Sequence, residues 1–111
     1  MAHLTITDET AEKALRILAG TRHAIAKMVF ERTDREKKAL LARLERESEG
    51  KTLRDRETYA LTHPHYSALK ERLDAAEAEY YEAKDERDSA NTILDVWRTL
   101  KADARAAERA R

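Results

Sequence analysis

The two histidines around Pro64 are the first residues in this sequence whose type and spacing suggest chemistry. His63 and His65 form an H-x-H pair, whereas the other two histidines lie far from them in the chain. A metal site in a protein needs three or four converging ligands, and the sequence supplies no cysteine at all. We therefore interpret the pair as turn residues, with Thr62 or His63 capping a helix that begins at Pro64. The sequence predicts no metal site and no cofactor.

Carboxylates are the second candidate, because eight of them lie between residues 71 and 88. A carboxylate-bridged metal pair in a helical bundle uses inward Glu-x-x-His motifs, and none occurs here. The sequence also lacks a Gly-rich phosphate loop, a nucleophile elbow and a Ser-His-Asp arrangement. We interpret the acidic stretch as a solvated helix face and predict that the protein is not an enzyme.

Basic side chains gather at the C-terminal end, at Arg98, Lys101, Arg105 and Arg109. Cations in the last turns of a helix complement its dipole, and this is the interpretation we favour. The alternative is contact with nucleic acid. A patch of this size without aromatic stacking platforms would bind phosphates weakly, in a salt-dependent way and without reading sequence.

A long helix must position most of these residues. From Tyr66 to Ala104 the seam residues recur every third or fourth position, and no Gly or Pro interrupts them. This pattern predicts one helix that presents a narrow seam to partner helices. Arg87 occupies a seam position, where we expect it to pair with a carboxylate across the interface.

The remaining segments follow from helix signals. We predict a tail over 1–7, helix 1 over 8–49, a connector helix over 53–61 and helix 2 over 64–107. Gly20 costs about 1 kcal/mol inside a helix. The apolar face is in phase on both sides of it, so we predict that helix 1 continues through it. We interpret the polar stretch 31–38 as a stutter within the same continuous helix.

Turn chemistry marks the connector on both sides. Gly50 suits a left-handed residue after the end of helix 1. Thr52 is predicted to cap the connector helix, with Asp55 as its capping partner. Helix 1 and helix 2 should then fold back antiparallel, with the numbers of facing residues totalling about 114. On this register Leu44 faces Leu69.

The predicted fold class is therefore all-α: a single domain made of a long, coiled-coil-like antiparallel helical hairpin with a short connector helix. Near Trp97 both long helices are apolar over more than a narrow stripe, which indicates burial on more than one side. We expect a homodimer in which two hairpins form a four-helix bundle. The predicted interface consists of Ile25, Met28, Val29, Ile93, Leu94, Trp97 and Leu100. A docking site for a different protein is the alternative.

Composition limits the remaining classes. The 111 residues include 22 Lys and Arg and 22 Asp and Glu, so the net charge is zero. Such a chain is neither a basic coat for nucleic acid nor an acidic mimic of it. No run approaches the roughly 18 apolar residues of a membrane span, and the N-terminus does not have the pattern of a secretory signal. We expect a cytoplasmic protein.

Two segments carry a resemblance. Tyr59-Ala60 with Tyr66 precedes the last long helix, and Leu94-Asp95-Val96-Trp97-Arg98 lies near its end. Over about residues 31–107 the chain resembles small helical proteins that tailed phages and prophages encode. The resemblance implies a location in the bacterial host cell and genes near those for recombination and replication. It also implies a single-strand annealing or single-strand-binding protein as a partner.

We therefore expect a non-enzymatic accessory or adaptor protein that acts by protein–protein contact in a DNA recombination or replication module. The first alternative is a weak, non-specific DNA-binding protein that uses the basic C-terminal end. The second alternative is a small phage inhibitor of a host defence protein or host enzyme. Neither alternative needs a pocket or a cofactor.

Overall fold

The computed structural model describes residues 5–110, and in that range it contains four α-helices and no strand. They are α1 (Asp8–Ala19), α2 (Arg22–Glu47), α3 (Leu53–Thr62) and α4 (Pro64–Arg109). The all-α prediction is confirmed. Of the predicted tail 1–7, residues 1–4 lie outside the described range. No helix within 5–110 combines the length and the apolar character that a membrane span requires.

Side-chain caps set the starts of α1 and α3, and the cap at Thr52 was predicted from the sequence. The Thr10 N–H donates to Thr7 Oγ1 (3.1 Å) at the start of α1. The Asp55 N–H donates to Thr52 Oγ1 (3.1 Å) at the start of α3. Each bond satisfies one of the backbone donors that a helix leaves unpaired in its first turn.

His63 caps α4 with its imidazole ring. The His65 N–H donates to His63 Nδ1 (3.0 Å), and the Tyr66 N–H donates to the His63 carbonyl (3.0 Å). Pro64 is the first helical residue, where its missing N–H leaves no donor unpaired. The histidine pair therefore lies in a turn, because His63 ends α3 and caps the start of α4.

The predicted continuity of helix 1 through Gly20 is wrong. α1 ends at Ala19, the Gly20 N–H donates to the Ile17 carbonyl (3.2 Å), and α2 begins only at Arg22. Gly20 has an extended backbone, with φ −75° and ψ 169°. Glycine loses more backbone freedom in a helix than any other residue, and here that cost outweighs the in-phase apolar pattern.

The polar stretch 31–38 is continuous helix within α2, as predicted. Thr33 in its middle is 3% exposed, and its hydroxyl donates to the Val29 carbonyl (2.7 Å). Asp34 forms ion pairs with Lys37 (3.4 Å) and Lys38 (3.1 Å). Local hydrogen bonds and ion pairs therefore replace apolar burial along this stretch.

Gly50 does not adopt the left-handed conformation that the sequence suggested, since no glycine among the described residues has a positive φ. α2 ends at Glu47 instead of residue 49. A Cβ atom on Gly50 would lie 2.7 Å from the Cβ of Asp55. The position therefore requires glycine because of this close approach to the first turn of α3.

Contacts divide the chain into two compact units. Unit 1 consists of residues up to His23 together with those from Glu82 onward, and unit 2 consists of Ala24–Tyr81. In unit 1, α1 and the C-terminal part of α4 run antiparallel. In unit 2, α2 and the N-terminal part of α4 run antiparallel, and α3 connects them. The prediction of a single domain stays a prediction.

The register of the antiparallel pairs differs from the predicted one. The facing pairs Asp8–Lys101 in unit 1 and Glu36–Arg72 in unit 2 have residue numbers that total 109 and 108. The expected total was about 114, so the predicted pairing of Leu44 with Leu69 is out by about one helical turn. Because α2 ends early at Glu47, the midpoint of the connector moves toward the N-terminus.

Candidate interaction surfaces

The core of unit 1 joins α1 to α4 through small side chains. Its buried residues are Ala11, Ala14, Ala90 and Leu94, and partly buried side chains pack around them, namely Ile17, Leu18, Ile93 and Trp97. Leu94 is 2% exposed. This member of the predicted dimer interface therefore lies inside unit 1, where α1 already covers it.

Trp97 combines apolar packing with a polar clamp at the start of α1. Its Nε1–H donates to Asp8 Oδ1 (3.0 Å), and Lys101 Nζ lies 3.2 Å from the same oxygen. Lys101 also lies 5.7 Å from the centroid of the indole ring. The hydrogen bond from Trp97, followed by that from Lys101 and its charge, holds the pKa of Asp8 below its ordinary value.

The contact between Asp8 and Trp97 could not be predicted from the sequence. It joins the first turn of α1 to an indole N–H on α4, and the two face each other only in the register that the structure shows. Trp97 is partly buried beside the core of unit 1.

Charged contacts also join α2 to α4 within unit 1. Arg22 forms ion pairs with Glu86 and with Glu82 (3.3 Å to the latter). Arg87 Nη1 lies 3.1 Å from His23 Nδ1, so its partner is an imidazole and not the carboxylate that we expected. A guanidinium can only donate, which makes His23 Nδ1 the acceptor in this contact.

Unit 2 buries a different set of residues: Ala26, Thr33, Leu44, Ala60, Leu69 and Leu73. Phe30 of α2 stacks on Tyr80 of α4, with ring centroids 5.6 Å apart and an interplanar angle of 16°. Such an offset aromatic pair contributes about 0.5–1.5 kcal/mol beyond its buried area. Among the described residues of α3, only Ala60 is buried.

Large exposed hydrophobic side chains are unevenly distributed. Within residues 5–110, unit 2 exposes Ile25, Met28, Leu53, Tyr59, Leu61 and Tyr81, whereas unit 1 exposes Leu15 and Leu100. Ile25 and Met28 are three residues apart and therefore lie on one face of α2. They are 52% and 54% exposed, and Val29 beside them is partly buried. We call Ile25, Met28 and Val29 the α2 apolar face.

The predicted dimer interface thus falls into three groups. Ile25, Met28 and Val29 form the α2 apolar face in unit 2. Leu100 is 43% exposed on α4 in unit 1. Ile93 and Trp97 are partly buried against the core of unit 1, which contains Leu94. The structure therefore brings together the α2 residues and uses most of the α4 residues inside unit 1.

The four basic residues at the C-terminal end lie on one face of α4, because their spacings are three, four and four residues. All four are exposed. Arg98 lies 3.9 Å from Asp95, and Lys101 contacts Asp8. A shallow, open concavity between side chains of this single helix lies on this face, and it is lined by Trp97, Arg98, Lys101, Ala104, Arg105 and Glu108.

The rings of His63 and His65 lie 4.7 Å apart, but no group of three or more His, Asp or Glu side chains suited to a metal ion occurs within residues 5–110. His63 Nδ1 is already occupied as the acceptor of the cap on α4.

Comparison of the chain with protein-family models, with curated proteins and with solved structures finds no match. The resemblance to small helical phage proteins therefore stays a prediction. Function has to be inferred from the two surfaces just described, the α2 apolar face and the basic face of α4.

Proposed function

We propose that this chain is a non-enzymatic interaction protein that forms a homodimer and contacts another protein within a DNA recombination or replication module of phage origin. The exposed apolar side chains of unit 2, and foremost the α2 apolar face, support the protein–protein part of this proposal. The phage setting rests on the resemblance of Tyr59, Ala60, Tyr66, Trp97 and Arg98 alone.

The net charge of the chain does not oppose self-association. Equal numbers of acidic and basic residues give zero net charge, so two copies approach without net repulsion. The α2 apolar face is the part of the predicted interface that remains exposed on a single helix. We assign the contact between two copies to this face.

Sedimentation equilibrium with a pair of double variants tests this assignment. Replacing Ile25 and Met28 by Gln removes the apolar side chains without changing net charge. Replacing Lys27 and Glu31 by Gln also leaves net charge unchanged and alters a different face of the same helix. The first variant should be monomeric under conditions in which the wild type and the second variant are dimeric. A monomeric wild type, or equal dissociation of both variants, would contradict the proposal.

The partner part needs its own experiment. Purified chain should co-elute with a purified phage single-strand annealing or single-strand-binding protein, and the mass of the complex should be measured by light scattering. Separate elution of the chain from both proteins would remove this module from the proposal while leaving the dimer untouched.

A weak DNA-binding function is the second candidate, because Arg98, Lys101, Arg105 and Arg109 share one exposed face. An electrophoretic shift with single-stranded DNA at low salt should then disappear when Arg105 and Arg109 are replaced by Gln, and also when salt is raised. Absence of a shift at low salt would eliminate this candidate.

A further inference from the structure

α4 extends past the beginning of α1. Asp8 is the first residue of α1 and contacts Trp97 and Lys101. α4 continues for eight more residues to Arg109, which corresponds to about 12 Å at 1.5 Å per residue. α1 therefore covers this side of α4 only as far as Lys101. We call residues 98–109, which begin within the last turn that α1 covers, the α4 overhang.

The face of α4 that packs on α1 continues into this overhang with a different chemistry. Ala90, Leu94 and Trp97 lie on the covered part of the face, and Lys101, Ala104, Arg105 and Glu108 follow at helical spacing. All residues from 98 to 110 are exposed. The shallow concavity lies on this continuation. It is lined by Trp97, one alanine, three cationic side chains and one carboxylate.

The three cations differ in how fully they are already neutralised. Lys101 is held by Asp8 at 3.2 Å, and Arg98 has a long contact with Asp95 at 3.9 Å. Within residues 5–110, no carboxylate forms a salt bridge with Arg105. Arg105 is therefore the donor most available to an incoming anion, and its planar guanidinium suits a carboxylate.

The lining favours a peptide over a nucleic acid. Glu108 lines the concavity together with the three cations. A phosphate backbone carries a charge at every nucleotide and would meet this carboxylate as well. A peptide can place separate carboxylates on Arg98 and Arg105 and an apolar side chain on Trp97 and Ala104. Charge complementarity with an apolar floor thus matches an acidic segment.

We propose that the concavity on the α4 overhang binds an acidic peptide segment of a partner protein, with Arg105 and Arg98 receiving its carboxylates and Trp97 with Ala104 receiving an apolar side chain. This inference rests on the proposed protein–protein function and names the partner's chemistry. It assigns the hetero-partner to unit 1, whereas the contact between two copies is assigned to the α2 apolar face in unit 2.

Trp97 makes the test direct, because it is the single tryptophan of the chain and lines the concavity. A short synthetic peptide with several aspartates around one leucine is titrated into the full chain while tryptophan emission is recorded. The emission should change and saturate. The same peptide with asparagine in place of each aspartate should leave the emission unchanged.

Two matched variants locate the effect. Arg105→Gln should weaken peptide binding about tenfold, the equivalent of one lost charge-assisted hydrogen bond. Arg54→Gln removes the same charge from an exposed position on α3 and should bind like the wild type. Circular dichroism should show unchanged helix content in both variants, since both positions are exposed.

Three results would overturn the inference. The first is an emission that does not respond to the acidic peptide. The second is a saturable response to an oligothymidylate, but not to the peptide, that Arg105→Gln removes. The third is an emission that changes with protein concentration alone, which would place a second copy at this site. Sedimentation of the same samples reports the dimer separately, so a failed peptide titration with an intact dimer contradicts this inference only.

Discussion

Unit 1 and unit 2 are each built around an antiparallel pair of helices, but they differ in which apolar side chains they bury and which they leave exposed. Unit 1 packs three alanines and Leu94 into its core and surrounds them with partly buried large side chains. Unit 2 buries three leucines, yet within residues 5–110 it exposes six large hydrophobic residues against two in unit 1. This difference is the reason why we propose the apolar surface of unit 2 for association.

Exposed ion pairs join α4 to other helices in both units. In unit 1, α4 contacts the start of α1 through Asp8 and the start of α2 through Arg22. In unit 2, α4 contacts α2 through the pair Glu36–Arg72 at 3.4 Å. Exposed pairs of this kind contribute between zero and about 1 kcal/mol each. The difference between the units therefore lies in their apolar side chains.

The largest expected effects come from the two fully buried leucines. Leu94→Ala in unit 1 and Leu44→Ala in unit 2 should each lower the free energy of unfolding by about 2–5 kcal/mol, because each leaves a cavity. Leu100→Ala, at an exposed position, should change it by no more than about 0.5 kcal/mol. Urea unfolding followed by circular dichroism measures all three.

Leu94 also separates core from interface. Since α1 already covers it, Leu94→Ala should leave the dimer dissociation constant unchanged at temperatures where the variant is folded. A shift of the monomer–dimer equilibrium as large as that of the Ile25 and Met28 variant would assign Leu94 to the interface. That result would contradict the assignment of the dimer contact to unit 2 alone.

The two glycines give the next comparison. Gly50→Ala should destabilise unit 2 by about 1–3 kcal/mol, since the new methyl group would lie 2.7 Å from the Asp55 Cβ. At Gly20 the nearest atoms are the Arg16 and Ile17 carbonyl oxygens at 3.3 and 3.4 Å, and the backbone is one that alanine adopts. Gly20→Ala should therefore stay within about 1 kcal/mol of the wild type. Equal thermal midpoints for the two variants would contradict the close approach at Gly50.

A smaller effect is expected at the start of α4. His63→Ala removes the acceptor of the His65 N–H and should cost about 0.5–2 kcal/mol. His63→Asn restores a capping acceptor and should recover most of that loss. His65→Ala is the matched control, because only its backbone N–H takes part in the cap. Thermal unfolding measures the stability of the three variants. Equal midpoints for all three would contradict the capping of α4 by the imidazole.

The smallest effect concerns acid stability. The folded-state pKa of Asp8 lies below the value of about 3.9 in unfolded chains, because Trp97 and then Lys101 stabilise its carboxylate. Its contribution to stability is therefore fully present above that unfolded value and is lost as pH falls through the folded pKa. The folded-state pKa of Asp34 in unit 2 is also lowered, mainly by its hydrogen bond with Lys38. Its contribution to stability is therefore also lost as pH falls.

The indole N–H resonance of Trp97 measures this titration in unit 1. It should shift with an acidic midpoint below about 3.9, and the shift should vanish in Asp8→Asn, whose amide oxygen still accepts from the indole. Asp34→Asn should leave the titration of this resonance in place. A midpoint at or above the ordinary aspartate value would contradict the clamp.

Local signals in the sequence predicted much of this fold. Thr52, Pro64 and the uninterrupted seam of α4 correctly indicated caps and helices, because capping and helical periodicity depend on neighbouring residues. The break at Gly20 was missed, since the apolar pattern stays in phase across it. The left-handed conformation predicted for Gly50 was wrong, and its close approach to Asp55 could not be predicted because it depends on how the chain turns between α2 and α3.

The sites were harder to predict than the helices. Ile25 and Met28 were correctly placed on a shared face by their spacing alone. The clamp between Asp8 and Trp97 and the α4 overhang depend on the antiparallel register, which shifts with the exact end of α2 at Glu47. On the predicted register, in which facing residue numbers total about 114, Trp97 faces residue 17 and not Asp8.

A dilution series of ¹H–¹⁵N correlation spectra tests the contrast between the units most directly. If two copies meet through the α2 apolar face, the amide resonances around Ile25 and Met28 should shift with concentration, and the Trp97 indole resonance should not. Spectra that do not depend on concentration, or shifts confined to residues around Trp97 and Leu100, would contradict the assignment of the dimer contact to unit 2.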